Sequence, residues 1–355
     1  MSRDGLAQNQ LTDLDAPRST SWGRREFMRG GAALVGSAGL LGYDLMPAAA
    51  EPPPETTTIR LVHAPAICLA PQYLAEELLH LEGFSQVEYV PVPDDANPNL
   101  VVAAGQADLT MDSATSLVPA LDGGRPLVVL AGVHGGCFEL FGNERVRALR
   151  DLKGKRVAIA AFGVDDHIYI ASMMAYVGMD PRKDVKWVET GTFDGPMQLF
   201  VESKVDAFLG FPPQPQQVRA RKVGHVIVNT AQDKPWSQHF CCMIAAQREF
   251  VRTHPVATKR AVRAILKAAD ICAREPERAA RYMVKKGYED NYDIALEVVK
   301  EVSYNAWRTF NPEDTLRFHA LRLHEVGMIK STPQKLITQG TDWRFLNELK
   351  KELKA

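Results

Sequence analysis

Most of the side chains in this sequence that could bind or react fall in a few short segments. Asp112-Ser113-Ala114-Thr115 offers a carboxylate, two hydroxyls and backbone N–H groups ahead of a helical pattern. His134-Gly135-Gly136-Cys137 offers an imidazole, a thiol and two glycines; glycine lets the backbone approach a ligand closely, and histidine can donate or accept a hydrogen bond. Gly163-Val164-Asp165-Asp166-His167 sets two carboxylates and an imidazole at a helix start. His63 and Cys68 flank a fourth segment, and Phe211 opens a fifth, Phe211–Pro213. Each has a plain structural reading beside the functional one. Asp, Ser and Thr are ordinary helix caps, and acidic residues in a first turn complement the helix dipole. Paired glycines make turns, and a lone His or Cys usually packs. The chemistry these groups suit is reversible recognition of a small polar solute. No Ser-His-Asp arrangement or nucleophile elbow is visible, and Gly123-Gly124 lack the lysine and spacing of a P-loop. No catalytic residue is assigned.

Five cysteines are too few, and odd in number, for a disulfide framework. Cys241 and Cys242 are adjacent, while Cys68, Cys137 and Cys272 stand alone. No Cys-x-x-Cys or Cys/His spacing for structural zinc appears, so no metal and no cofactor are expected. Drawing Asp112, His134, Cys137, Asp165 and His167 into a metal site has no support in spacing. The adjacent pair reads as part of a buried strand, because free cysteine packs as a small hydrophobe.

The elements that must carry these segments alternate. Ile59–His63, Val87–Val92, Ala107–Met111, Leu127–Val133 and Cys137–Phe141 read as strands. The spacing of Leu74, Leu78 and Leu81 predicts a helix that starts near Pro71 and stops at Gly83. Leu127–Val133 is wholly apolar, as in a strand buried on both faces. A second unit opens at Arg156–Ala161 and continues through strands at Val185–Glu189, Ala207–Phe211 and His225–Asn229. From His254 the pattern turns to amphipathic helices. Alternating β and α elements predict sheets with helices on both faces. In open α/β sheets ligands sit beyond the carboxyl ends of the strands, and that rule selects the segments named above.

Composition fits a globular chain of 355 residues: 46% hydrophobic, 24% charged, net charge −1. Nothing favours nucleic acid. The N-terminal segment reads as an export signal. Arg24-Arg25 is followed by Phe27, an uncharged run from Gly31 to Leu41, and small residues Ala48 to Ala50. The apolar run is too short for a bilayer core of roughly 30 Å. Cleavage after Ala50 is expected, with residues 51–58 as a Pro- and Thr-rich linker. No cysteine lies at the cleavage site, which argues against lipid anchoring.

GQADLTMDSATSLVPALDGGRPLVVLAG (105–132), DLKGKRVAIAAFG (151–163), VDAFLGFPP (205–213) and HPVATKRAVRAILKAAD (254–270) resemble the nitrate/sulfonate/taurine class of ABC-importer binding proteins. That class shares a domain with thiamine-pyrimidine binding and biosynthesis proteins. The resemblance implies a two-lobed, type II periplasmic-binding fold of mixed sheets. It places one lobe at 59–153, the second at 154–240, and a return to the first with C-terminal helices at 241–355. The crossings fall near Lys153–Lys155 and Ser237–Met243. It implies a monomer that captures a small solute and works with a permease and its ATPase after export by the twin-arginine translocase. Ligand contacts are expected from His63, Cys68, Asp112, Ser113, Thr115, His134, Gly135, Gly136, Cys137, Gly163, Val164, Asp166, His167 and Phe211. Relatives that bind sulfonates usually carry Gly-Ser where this chain has Gly163-Val164, a departure that points away from an anion. The alternative is a biosynthetic enzyme of the thiamine-pyrimidine type or a periplasmic sensor. Against the enzyme, its CCCFC run is reduced here to Cys241-Cys242, and Ala66–Pro71 contains no histidine.

Overall fold

A computed structural model describes residues 51–93 and 96–355; the export-signal reading, including Arg24, Arg25, Phe27, Ala48 and Ala50, lies outside the described residues. Two five-stranded mixed sheets organise this part. The first holds β1 (Thr58–His63), β2 (Gln86–Pro91), β3 (Leu109–Ser113), β4 (Leu127–His134) and β10 (Cys242–Gln247) in the order β2-β1-β3-β10-β4. The second holds β5 (Glu139–Gly142), β6 (Arg156–Ile159), β7 (Lys186–Glu189), β8 (Ala207–Gly210) and β9 (His225–Asn229) in the order β7-β6-β8-β5-β9.

Both sheets follow one plan. Three strands joined by helices run parallel, and the fourth position is taken by an antiparallel strand that arrives from the other half of the chain. In the first sheet that strand is β10, paired with β3 and β4. In the second it is β5, paired with β8 and β9. The chain therefore first changes sheets between His134 and Glu139, earlier than the expected Lys153–Lys155. The reason is pairing: Glu139–Gly142 finds its antiparallel partners only in the second sheet. The return lies between Asn229 and Cys242.

The apolar strand Leu127–His134 is buried at every position, as its composition predicts. The helix Ala70–Leu81 starts with Pro in its first turn. Gly83 follows at φ +103, a conformation glycine adopts without the usual steric penalty. This helix packs along the twenty-residue helix Pro255–Arg274, which also lies against β4. The helix Pro312–Glu325 touches both Ala114–Asp122 and Asp165–Tyr176. The C-terminal helices thus reach helices of both sheets, and do not serve the first alone.

Candidate functional site

The carboxyl ends of β1, β3, β6 and β8 face one cleft. Its empty volume is ≈ 620 Å³, solvent at the mouth included. Apolar walls come from Leu69, Met111, Phe138, Val164, Phe193 and Phe211, and polar groups from Asp112, Ser113, Asp165 and Asp166. Among the described residues lining it, none is basic.

The polar floor is built by helix starts. Ser113 caps the helix Ala114–Asp122: its Oγ accepts from Ser116 N at 3.2 Å. The same hydroxyl donates to Asp165 Oδ1 at 2.6 Å, joining a loop of the first sheet to one of the second. Asp112 Oδ2 accepts from the backbone N (3.0 Å) and Nδ2 (2.6 Å) of Asn99, and Oδ1 accepts from Ser113 N at 2.7 Å. Asp166 accepts from Ala160 N at 2.6 Å and from His167 N at 2.7 Å. All three carboxyls are pushed up by burial, Asp112 to about 6 and Asp166 to about 7. For Asp165 the neighbouring Asp112 adds to that rise. Asp112 and Asp166 are buried and Asp165 half-buried; without a cation such carboxyls are costly when charged, so they favour a proton or a positive guest.

Two further bonds close the cleft from side to side. Asn97 Nδ2 donates to Gly163 O at 2.9 Å, and Ile67 N donates to Pro212 O at 3.2 Å.

Of the residues expected to contact ligand, Cys68, Asp112, Ser113, Val164, Asp166 and Phe211 line the cleft. His63 instead packs against Tyr73 and Tyr288, with ring centroids 5.7 and 5.5 Å away. Thr115 turns its hydroxyl to Ser113 Oγ at 2.7 Å. Gly163 spends its N–H on His167 Nδ1 at 3.1 Å. His167 is packed between Phe162 and Trp187, and burial lowers its pKa to about 4.

The loop His134–Cys137 also stands apart from the lining. His134 is fully buried, and Gly136 serves a chain crossing: a Cβ there would meet Thr230 O at 2.0 Å. This loop runs beside the return crossing, where Cys241 N donates to His134 O at 2.9 Å and Thr230 N to Phe138 O at 2.9 Å. Phe138, Phe193 and Asp165 line the cleft without having been expected as contacts. Apolar residues give no local binding signal in a sequence, and Asp165 reads first as a helix-start acid.

The family described as NMT1/THI5 like matches residues 81–279, more than half of the chain. The chain belongs to that family. Among solved structures it is similar to the periplasmic nitrate-binding protein NrtA from Synechocystis PCC 6803, at 16% identity and TM-score 0.70, covering 85% of this chain and 90% of that one. It is also similar to the alkanesulfonate-binding protein SsuA from Xanthomonas axonopodis pv. citri bound to MOPS (14% identity, TM-score 0.66, covering 83% and 100%). A third is the periplasmic aliphatic sulphonate binding protein SsuA from Escherichia coli (15%, TM-score 0.61, covering 79% and 91%). A comparison with curated proteins finds no match. The shared architecture is the periplasmic-binding-protein fold, as the resemblance implies.

Proposed function

We propose that this member of the family is the solute-capturing component of an ABC importer. It works in the periplasm after twin-arginine export, as a monomer and without chemistry of its own, and hands its solute to a permease driven by an ATPase. Residues 59–134 with 242–355 form one lobe and 139–229 the other. The structural neighbours are named for nitrate and sulfonate binding, but the cleft of this chain suits a different guest. The observation that carries this reading is the floor of carboxyls, Asp112 and Asp166 buried and Asp165 half-buried, with no basic residue among the described lining. At a pH where any of these carboxyls is charged, an anion placed there would face like charge without a counter-ion. A small solute with an apolar body and a cationic or N–H-donating end would rest on Phe138, Phe193 and Phe211 and donate to Asp165.

Thermal shift against amines, N–H heterocycles, nitrate, sulfonates and carboxylates tests this. A ligand at 100 times its Kd adds about 2.7 kcal/mol to stability. Amines or N–H heterocycles should raise the melting temperature, and Asp165→Asn should weaken them at least tenfold. Stabilisation by nitrate or sulfonates alone would refute the cationic or N–H-donor guest. Turnover of a substrate by the purified protein would refute the binder.

A further inference from the structure

Four of the five cysteines meet beside the two crossings. Cys68 precedes the helix Ala70–Leu81, Cys137 lies on the outward crossing, and Cys241 and Cys242 end the return crossing. All four are buried, and His134 at the end of β4 is fully buried among them. The ligand atoms of Cys68, His134 and Cys137 all lie within 4.8 Å of one another, as do those of His134, Cys241 and Cys242. Cys137 Sγ and Cys241 Sγ are 3.2 Å apart, and Cys241 Sγ and Cys242 Sγ 4.0 Å. A tetrahedral centre with metal–sulfur bonds near 2.3 Å needs sulfur–sulfur edges of about 3.8 Å, which these two distances bracket.

The histidine is set up for the same purpose. Its Nδ1 lies 2.7 Å from Gly135 O. A carbonyl only accepts, so Nδ1 carries the proton and Nε2 keeps a lone pair. Nε2 is buried and has no hydrogen-bond partner among the described residues. A ring nitrogen held by a backbone carbonyl while the other is left open is the usual arrangement of a metal-binding histidine. An unpaired buried polar atom is otherwise a net cost. Tyr304 fixes the wall: its ring stands edge-on to His134 at 5.5 Å, and its hydroxyl donates to Cys68 O at 3.2 Å.

We propose that His134 Nε2 and sulfurs drawn from Cys68, Cys137, Cys241 and Cys242 form a site for one thiophilic d¹⁰ cation, Zn(II) or Cu(I). Thiolate and imidazole donors select such ions over Mg(II) or Ca(II). The coordinating thiols release their protons to solvent on binding, with no change of oxidation state at sulfur or metal. The site ties the outward crossing to the return crossing and shares Cys68 and Cys242 with the cleft lining. It does not depend on the identity of the solute.

The test uses the full chain, reduced and kept anaerobic. One sample is titrated with Zn(II), and a second with Cu(I) against a chromophoric Cu(I) chelator. Metal is counted after gel filtration, and Co(II) is added separately to look for thiolate-to-cobalt charge transfer. One ion per chain is expected, and which arm retains it names the metal. His134→Ala, Cys137→Ser and Cys241→Ser should each weaken binding at least tenfold, while Cys272→Ser, outside the cluster, binds like the parent. Circular dichroism identifies folded variants, and two folded ones suffice. No stoichiometric binding in either arm, or binding that survives both His134→Ala and Cys241→Ser, overturns the proposal. A Cys137–Cys241 disulfide that forms in air while the reduced protein takes no metal also overturns it.

Discussion

Gly135 and Gly136 are adjacent and identical in type, yet alanine should have very different effects at the two. A Cβ on Gly136 would sit 2.0 Å from Thr230 O, 2.1 Å from Thr230 C and 2.6 Å from Ala231 N. All three are backbone atoms, so no side chain can swing aside. Ordinary contact begins at 3.4 Å, so the two crossings would have to part by more than an ångström. Their separation is fixed by Thr230, whose N and Oγ1 both donate to Phe138 O at 2.9 Å, and whose Oγ1 accepts from Phe138 N at 2.9 Å. Overpacking of this kind costs about 1–3 kcal/mol and occasionally more. We expect Gly136→Ala to lose at least about 2 kcal/mol. At about 2 °C per kcal/mol for a chain of this size, the melting temperature falls by about 4 °C or more. At Gly135 the nearest atoms to a Cβ are Ser303 Cβ at 3.5 Å and Phe310 Cε2 at 3.7 Å. Gly135→Ala should therefore stay within about 0.5 kcal/mol of the parent. Urea and thermal denaturation of both variants, with solute affinity measured on each, decide the matter. Equal destabilisation would refute the steric argument. Loss of affinity in a stable Gly135→Ala would show that the loop approaches ligand after all.

Burial raises the Asp166 carboxyl to about 7, well above its value in an unfolded chain. The folded state then holds the extra proton, so this group's contribution is fully present at low pH and is lost as pH rises through 7. Between pH 6 and pH 8 this group's contribution should fall by on the order of 1 kcal/mol, read as the stability of the parent relative to Asp166→Asn, which has no titrating group there; a difference that rises over that window would contradict this. Asn97→Ala removes the Nδ2 bond to Gly163 O, and among the described residues Asn97 makes no side-chain capping bond for its own helix. Losing about 1 kcal/mol of closure should weaken solute binding about fivefold and enlarge the solute-free protein in small-angle scattering; unchanged affinity and radius would count against the latch.

The strand and helix order was legible because period and composition are local. Leu127–Val133 shows burial on both faces by itself, and Asp112, Ser113 and Val164 fall where strand ends meet helix starts. The sheet to which a short strand belongs is not local. Glu139–Gly142 looks like the next strand of the first unit, and only its antiparallel partners β8 and β9 reveal otherwise. The thiol cluster was hidden for the same reason: Cys137 and Cys241 are 104 residues apart, so no spacing rule applies to them. Asp165 reads first as a helix-start acid, because such an acid and a cleft carboxyl look alike in a sequence until Ser113 of the other sheet is seen bonded to it.

The exchange of β5 and β10 bears on the order in which the chain can fold as it is made. β10 lies between β3 and β4, so the first sheet has a gap until residue 247 has been synthesised. Before then β4, apolar from Leu127 to Val133, has only solvent or a wrong partner along its edges. Contacts of such long sequence separation form slowly, and the waiting intermediate is prone to association. The second sheet has all its strands once residue 229 is made, but the first cannot be finished by a nascent chain stopped short of its last third, so its completion is a late event, dependent on a strand that leaves the ribosome after the four it joins.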